Sequence, residues 1–176
     1  MKKGGKGGAK TKSGLKYENK VDLYLYLRQQ GFTVRTIKGK AGIGVFSRGE
    51  LVARCFRKNA FYLYLEEEGI DYKQYITRKL LPDDSLLVII RKTLFIIEIK
   101  YQHVDGSTDE KLQTCDFKRK QFIKLVTPLG LFVEYVYILN DYFKQERYKD
   151  VLAYIQSVNC KYVFGPPPLE WFGLTS

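Results

Sequence analysis

The chain contains a single histidine, His103, and therefore lacks the means for chemistry that uses several. A Ser-His-Asp or Cys-His enzyme, a His-rich metal site or a histidine-metal nuclease would all have to use that one ring. Cysteine is almost as scarce. Cys55, Cys115 and Cys160 are odd in number, far apart and free of C-x-x-C spacing, which argues against a disulfide framework and a zinc knuckle and makes buried reduced thiols the expectation. No apolar run approaches the roughly 18 residues of a membrane-spanning helix, so no membrane partner is expected. The opening MKKGGKGGAKTKSG lacks the apolar stretch of a secretory signal, so nothing marks export. Acidic residues are also in deficit: 19 Asp and Glu face 30 Lys and Arg, for a net charge of +11. Such a field attracts polyanions and makes nucleic acid the leading partner class on charge alone.

What is present is enough for one substantial core, since 45% of the 176 residues are hydrophobic and that length is typical of a single domain. Residues 1–16 carry Lys2, Lys3, Lys6, Lys10, Lys12 and Lys16 with five glycines and no acid. Residues 1–15 read as a flexible basic arm, suited to lying along a phosphate backbone or to keeping the chain soluble, and residues 16–176 as one catalytic domain. The spacing of Tyr17, Val21, Tyr24, Leu25 and Arg28 predicts a helix over about 15–30, stopped by Gly31. Alternation predicts strands over 32–37 and 50–57, with GKAGIG between them as a loop. Asn59 is placed to cap a short helix to about Glu68, and Asp71 another that runs toward Leu80. Ser85 to Ile90 and Thr93 to Tyr101 are apolar, β-branched runs separated by Arg91-Lys92, the layout of a tight antiparallel hairpin in a central sheet. Thr108 is placed to cap a helix through Leu125 that Pro128 and Gly130 end; a strand over 131–139 follows. Asn140 is expected to cap a helix over 141–157, with a strand at 161–164 and a tail docked through Trp171 and Phe172. The order is that of an α/β fold, a central mixed sheet flanked by helices.

The chemistry concentrates in Pro82-Asp83-Asp84-SLLVIIRKTLFII-Glu98-Ile99-Lys100. Strand side chains alternate between faces, so Glu98 and Lys100 point one way while Ile97, Ile99 and Tyr101 point the other. A two-residue turn at Arg91-Lys92 sets Asp83 opposite Lys100 and Ser85 opposite Glu98, placing Asp83, Glu98 and Lys100 on one face. A three-residue turn would substitute Asp84, because a one-residue slip exchanges faces. Asp83 is favoured, with Asp84 in reserve. Two converging carboxylates suit a hard cation such as Mg²⁺, with Mn²⁺ able to substitute. An adjacent lysine can orient the attacking water and stabilise charge developing on a phosphoryl oxygen, which together describes metal-dependent phosphodiester hydrolysis. The same trio also reads as a plain salt bridge at a strand end.

Pro82-Asp83, a gap of 14 residues and then Glu98-x-Lys100 resembles the signature of the PD-(D/E)xK nuclease superfamily in its literal form. GGAKTKSGLKYE at 7–18 and GSTDEKLQTCDFKRKQF at 106–122 resemble stretches of short type II restriction endonucleases, among them the small catalytic subunits of heterodimeric type IIS enzymes. The resemblance implies a restriction-endonuclease-like core and a prokaryotic, cytoplasmic setting. It implies Asp83, Glu98 and the Ile99 carbonyl as metal ligands and Lys100 as the catalytic lysine. Glu18 matches the glutamate that the first core helix often contributes, and Gln113 the polar residue that the helix after the motif strand often places near metal or phosphate. Each of the two has an ordinary reading too, Glu18 as a first-turn glutamate favoured by the helix dipole and Gln113 as a solvated helix residue.

Lys118, Arg119, Lys120 and Lys124 fall on that later helix, where they can track the DNA backbone or form a solvated face. His103 lies just past the motif strand and is within reach of phosphate. After the core and the arm are counted, the chain has no second domain to read a DNA site. The expectation is therefore a subunit that cuts one strand of double-stranded DNA while a larger recognition and nicking subunit supplies the site. The rivals are a homodimeric restriction enzyme or junction resolvase, and a non-catalytic basic nucleic-acid-binding module.

Overall fold

The computed structural model describes residues 22–103 and 108–174. Seven strands in sequence order form one sheet: β1 (Thr33–Thr36), β2 (Ile43–Ser47), β3 (Glu50–Phe56), β4 (Asp84–Val88), β5 (Thr93–Lys100), β6 (Phe132–Leu139) and β7 (Lys161–Phe164). The pairs from β1 to β5 are antiparallel, whereas β5–β6 and β6–β7 are parallel. Parallel neighbours require a crossover, and helices supply it: α3 (Thr108–Leu112) and α4 (Cys115–Val126) precede β6, and α5 (Lys149–Ser157) precedes β7. The other α-helices among the described residues are α1 (Leu23–Gln29), α2 (Ala60–Glu67) and the short α6 (Leu169–Phe172). This is the expected mixed sheet with flanking helices. No helix among the described residues is long and apolar enough to cross a membrane.

Alternation along the central strands builds two cores. Leu94 and Ile96 of β5 join Tyr135 and Tyr137 of β6 under α2, α4 and α5. Phe95 and Ile97, with Leu86 and Val88 of β4, pack on the other face against Leu23 and Leu27 of α1 and Phe172 of α6. The tail docks as expected, with the Phe172 ring edge-on to Phe95 at a centroid distance of 5.0 Å. Cys55, Cys115 and Cys160 are free and buried.

Several local expectations are corrected. The helix expected over 15–30 does not run through Asp22, which has φ −57° and ψ 114° and caps α1 by accepting from the Leu25 N–H at 2.9 Å. The rest of that stretch, the basic arm and Glu18 lie outside the described residues. GKAGIG is not all loop, since Ile43 begins β2, which a two-residue turn at Arg48 and Gly49, both at positive φ, joins to β3. Gly42 is required where it stands, because a Cβ there would collide with the Cys55 carbonyl and the Phe56 ring.

Asn59 precedes α2 without capping it, and its Oδ1 accepts from Lys79 instead. Asp71 caps a single 3₁₀ turn, Tyr72–Gln74, rather than a helix to Leu80. The helix expected from 108 to 125 breaks at 113–114, where the Thr114 hydroxyl donates to the Lys111 carbonyl at 2.7 Å. That competing local bond is a familiar way for threonine to interrupt a helix. Asn140 does not cap a long helix: its side chain bonds both the N–H and the carbonyl of Gln102, short 3₁₀ turns follow, and α5 starts only at Lys149.

The hairpin that carries the motif also differs from expectation. Val88 pairs with Thr93, so residues 89–92 form a four-residue connection in place of the two-residue turn. The strand expected over 85–90 is accordingly Asp84–Val88. The register moves by two residues, and an even slip keeps every side chain on its face.

Candidate active site

The paired register ends at Asp84↔Ile97, so Asp83 lies just outside β4 and is not paired with Lys100. Glu98 and Lys100, two residues apart on β5, share the α4 side of the sheet, while Asp83 is bonded to the N–H of the intervening Ile99. Asp84 faces the other way. Its Oδ1 accepts from Arg57 Nε at 2.8 Å, Arg57 Nη2 donates to Asp22 Oδ2 at 2.6 Å, and the guanidinium stacks on the Tyr24 ring. Burial pushes the Asp84 carboxyl up to about 6, against the pull of Arg57. Asp84 thus ties β4 to α1.

Glu98 is buried on the α4 face at the end of an apolar strand, a position that is costly for a charge unless it is paired and hydrogen-bonded. Lys100 Nζ lies 2.7 Å from Oε2, Lys118 Nζ lies 2.7 Å from Oε1 and 3.0 Å from Oε2, and the Tyr135 hydroxyl donates to Oε1 at 2.6 Å. Burial alone would raise this carboxyl. The charges and hydrogen bonds of Lys100 and Lys118 outweigh it and hold the group at about 2. Glu98 is therefore ionised at neutral pH. The Tyr135 phenol is driven far above its ordinary value, by burial first and then by the Glu98 charge, and so remains a donor to it.

Asp83 is exposed, and its Oδ2 accepts from the Ile99 N–H at 2.9 Å. An extended residue presents its N–H and C=O to the same neighbour, so the Ile99 carbonyl is directed to the Asp83 side of β5. Asp83, Glu98 and the Ile99 carbonyl are oxygen donors of the kind that a hard cation takes, and both Glu98 oxygens are engaged by Lys100, Lys118 and Tyr135. The ammonium groups on Glu98 mark the place where positive charge is accommodated. No group of three or more His, Cys, Asp and Glu side chains converges among the described residues, so the oxygen set expected from the sequence is not enlarged.

The other expected residues separate. Gln113, exposed in the break between α3 and α4, lines a depression with Arg147, Asp150, Val151 and Tyr154, away from Glu98. Arg119 lines another with Arg91, Thr93 and Phe132. Lys120 pairs with Asp116 at 2.7 Å, and Lys124 is exposed. His103 is exposed with its ring 5.6 Å from that of Tyr101.

Lys118, expected to track the DNA backbone or to lie on a solvated helix face, is instead a partner of Glu98. A signal for this was present: Lys118 lies three residues after Cys115 and four before Phe122, both buried, and hence on the inward stripe of the helix. Tyr135 carried no such signal, since its strand is apolar on both faces. Glu98 and Lys118 also border a depression of about 590 Å³ whose lining includes Arg78, Leu81, Phe117 and Gln121. The helix glutamine beside Glu98 is therefore Gln121, not Gln113.

Compared with known proteins, the chain has no match to a family model and no significant match to a curated protein or a solved structure.

Proposed function

We propose that the chain is a Mg²⁺-dependent endodeoxyribonuclease of restriction type with a PD-(D/E)xK-like core, cutting one strand of double-stranded DNA for a larger subunit that recognises the site. The observation that carries this reading is the Glu98–Lys100 pair at the end of β5, with Asp83 held on the intervening Ile99 N–H. The basic charge supports it.

A divalent cation held by Asp83, Glu98 and the Ile99 carbonyl would, when bound, polarise the scissile phosphate and stabilise the leaving oxygen. The protein's own groups do the rest. Glu98, ionised and fixed by the Tyr135 hydroxyl, holds the Lys100 and Lys118 ammonium groups on one carboxylate. Lys100, at the outer end of β5, orients the attacking water and donates to the phosphoryl oxygen on which charge develops. Lys118 adds a second positive charge from α4. Asp83, bonded to the Ile99 N–H, stands at the exposed side, where the backbone of a bound strand would pass.

The full engagement of Glu98 favours a second reading, in which the cluster is a structural ion pair and the chain binds nucleic acid without cutting it. Incubation of the purified chain with plasmid and Mg²⁺, alone and with candidate large subunits, followed by mapping of cuts on each strand, separates the two. Cleavage that Lys100→Ala reduces on the order of 10²- to 10³-fold or more is expected. Cleavage by the chain alone, as a stable dimer acting on both strands of a palindrome, would replace the heterodimer with the symmetric enzyme. No cleavage with any partner would leave the binding module, and full activity in Lys100→Ala would overturn the catalytic role of the cluster.

A further inference from the structure

Next to Glu98, three side chains of different chemistry share one opening and have no partner. Arg78, Phe117 and Gln121 make no side-chain hydrogen bond, ion pair or ring contact among the described residues, yet all three line the depression that reaches Glu98 and Lys118. Phe117 is 61% exposed and Leu81, across the same opening, 55%. Two large apolar side chains held in water beside a charged cluster are costly, and neither contributes to either core. An aromatic face, a guanidinium and a carboxamide are the groups from which nucleobase and phosphate recognition is built. A volume of about 590 Å³ is within the range of small-ligand sites, roughly 300–1,000 Å³.

We infer that this depression seats one unpaired nucleotide of the strand being cut, its base stacked on Phe117 against Leu81, its edge met by Gln121 and its phosphate by Arg78. The inference rests on the nuclease reading in assigning the nucleotide to the cut strand. Its physical basis is separate: a base within a duplex already has both faces stacked and cannot use Phe117, whereas an unpaired base regains on Phe117 the stacking it lacks. Charge complementarity selects nucleic acid as the occupant, since Arg78 and Lys79 line the opening while the carboxylate there, Glu98, is neutralised by Lys100 and Lys118.

The test is binding without catalysis. The full chain is titrated in EDTA into a labelled oligonucleotide presented as a single strand, as a perfect duplex, and as the same duplex with one unpaired nucleotide, and anisotropy is read. The single strand and the interrupted duplex should bind more tightly than the perfect duplex. Phe117→Ala should weaken those two by roughly 5- to 100-fold, as expected for one base–aromatic stack, and change the perfect duplex by no more than about twofold. Phe117→Trp should preserve the preference. Arg78→Gln should lower the slope of log affinity against log salt by about one on the single strand and the interrupted duplex.

Equal binding of the three probes by the native chain, or an unchanged preference in Phe117→Ala, would overturn the inference. So would an equal loss on all three probes, which would make Phe117 a general contact. The nuclease reading fails separately. A native chain that shows the preference in EDTA but never cuts DNA with Mg²⁺ loses only the catalytic assignment.

Discussion

Replacing Glu98 by glutamine tests how the cluster is held together. The substitution keeps the shape of the side chain and an acceptor for the Tyr135 hydroxyl, but removes the negative charge that Lys100 and Lys118 share. Glu98 is lowered from an ordinary 4.5 to about 2, and its side chain is only 8% exposed, so solvent screening discounts little. At about 1.36 kcal/mol per pH unit, that difference corresponds to about 3 kcal/mol of stability at pH 7. A depressed carboxyl contributes fully above its unfolded value and loses the contribution as pH falls through its folded value. The stabilisation should therefore be intact above pH 4.5 and largely gone near pH 2, with about 1 kcal/mol left at pH 3. Urea unfolding of both proteins at pH 7 and pH 3 measures this. The gap between them should narrow by about 2 kcal/mol, whatever pH-independent cost the substitution adds. A gap that stays constant with pH would refute the claim that the lysines hold Glu98 ionised in the folded protein.

Other substitutions test neighbouring parts. Asp83→Asn should abolish cleavage and Asp84→Asn should retain it, because Asp84 is taken by Arg57 whereas Asp83 is bonded next to Glu98, at the Ile99 N–H; mapped plasmid cleavage by the two variants decides, and the reverse result would exchange their roles. Asp84 is raised to about 6 from 3.8, the opposite sign from Glu98: its contribution is present below 3.8 and lost as pH rises through about 6. Relative to Asp84→Asn, the native protein should therefore lose about 1 kcal/mol between pH 5 and pH 7, measurable by denaturant titration. Phe172→Ala should destabilise by about 3–5 kcal/mol, since the ring is fully buried against Phe95; a negligible shift in the unfolding midpoint would show that the tail is dispensable. Deleting residues 2–12 removes five lysines and should weaken DNA binding and flatten its salt dependence without moving the cleavage position; unchanged affinity at low salt would make the arm a bystander.

The sequence by itself determined which face carries the motif. Period-two alternation along residues 93–100 places Glu98 and Lys100 together, and the apolar residues around them require a central strand. The hairpin connection is four residues rather than two, an even slip that leaves the side-chain parity of β4 against β5 unchanged. The element order was legible for the same reason: hydrophobic periodicity reports burial, and burial follows element type. Capping was less legible. Asn59 and Asn140 have the residue type of a cap, but tertiary partners, Lys79 for one and the backbone of Gln102 for the other, take their side chains.

Only the tertiary structure decided what surrounds Glu98. Lys118 is 20 residues away in the chain and Tyr135 is 37, and they meet it because β6 returns parallel to β5 beneath α4. The depression of Arg78, Phe117 and Gln121 likewise joins a loop before β4 to the outer side of α4. Local periodicity cannot specify such meetings. They are set by how far a crossover helix lies along the sheet, a quantity fixed by packing the whole α4 face against β5 and β6 rather than by any one segment.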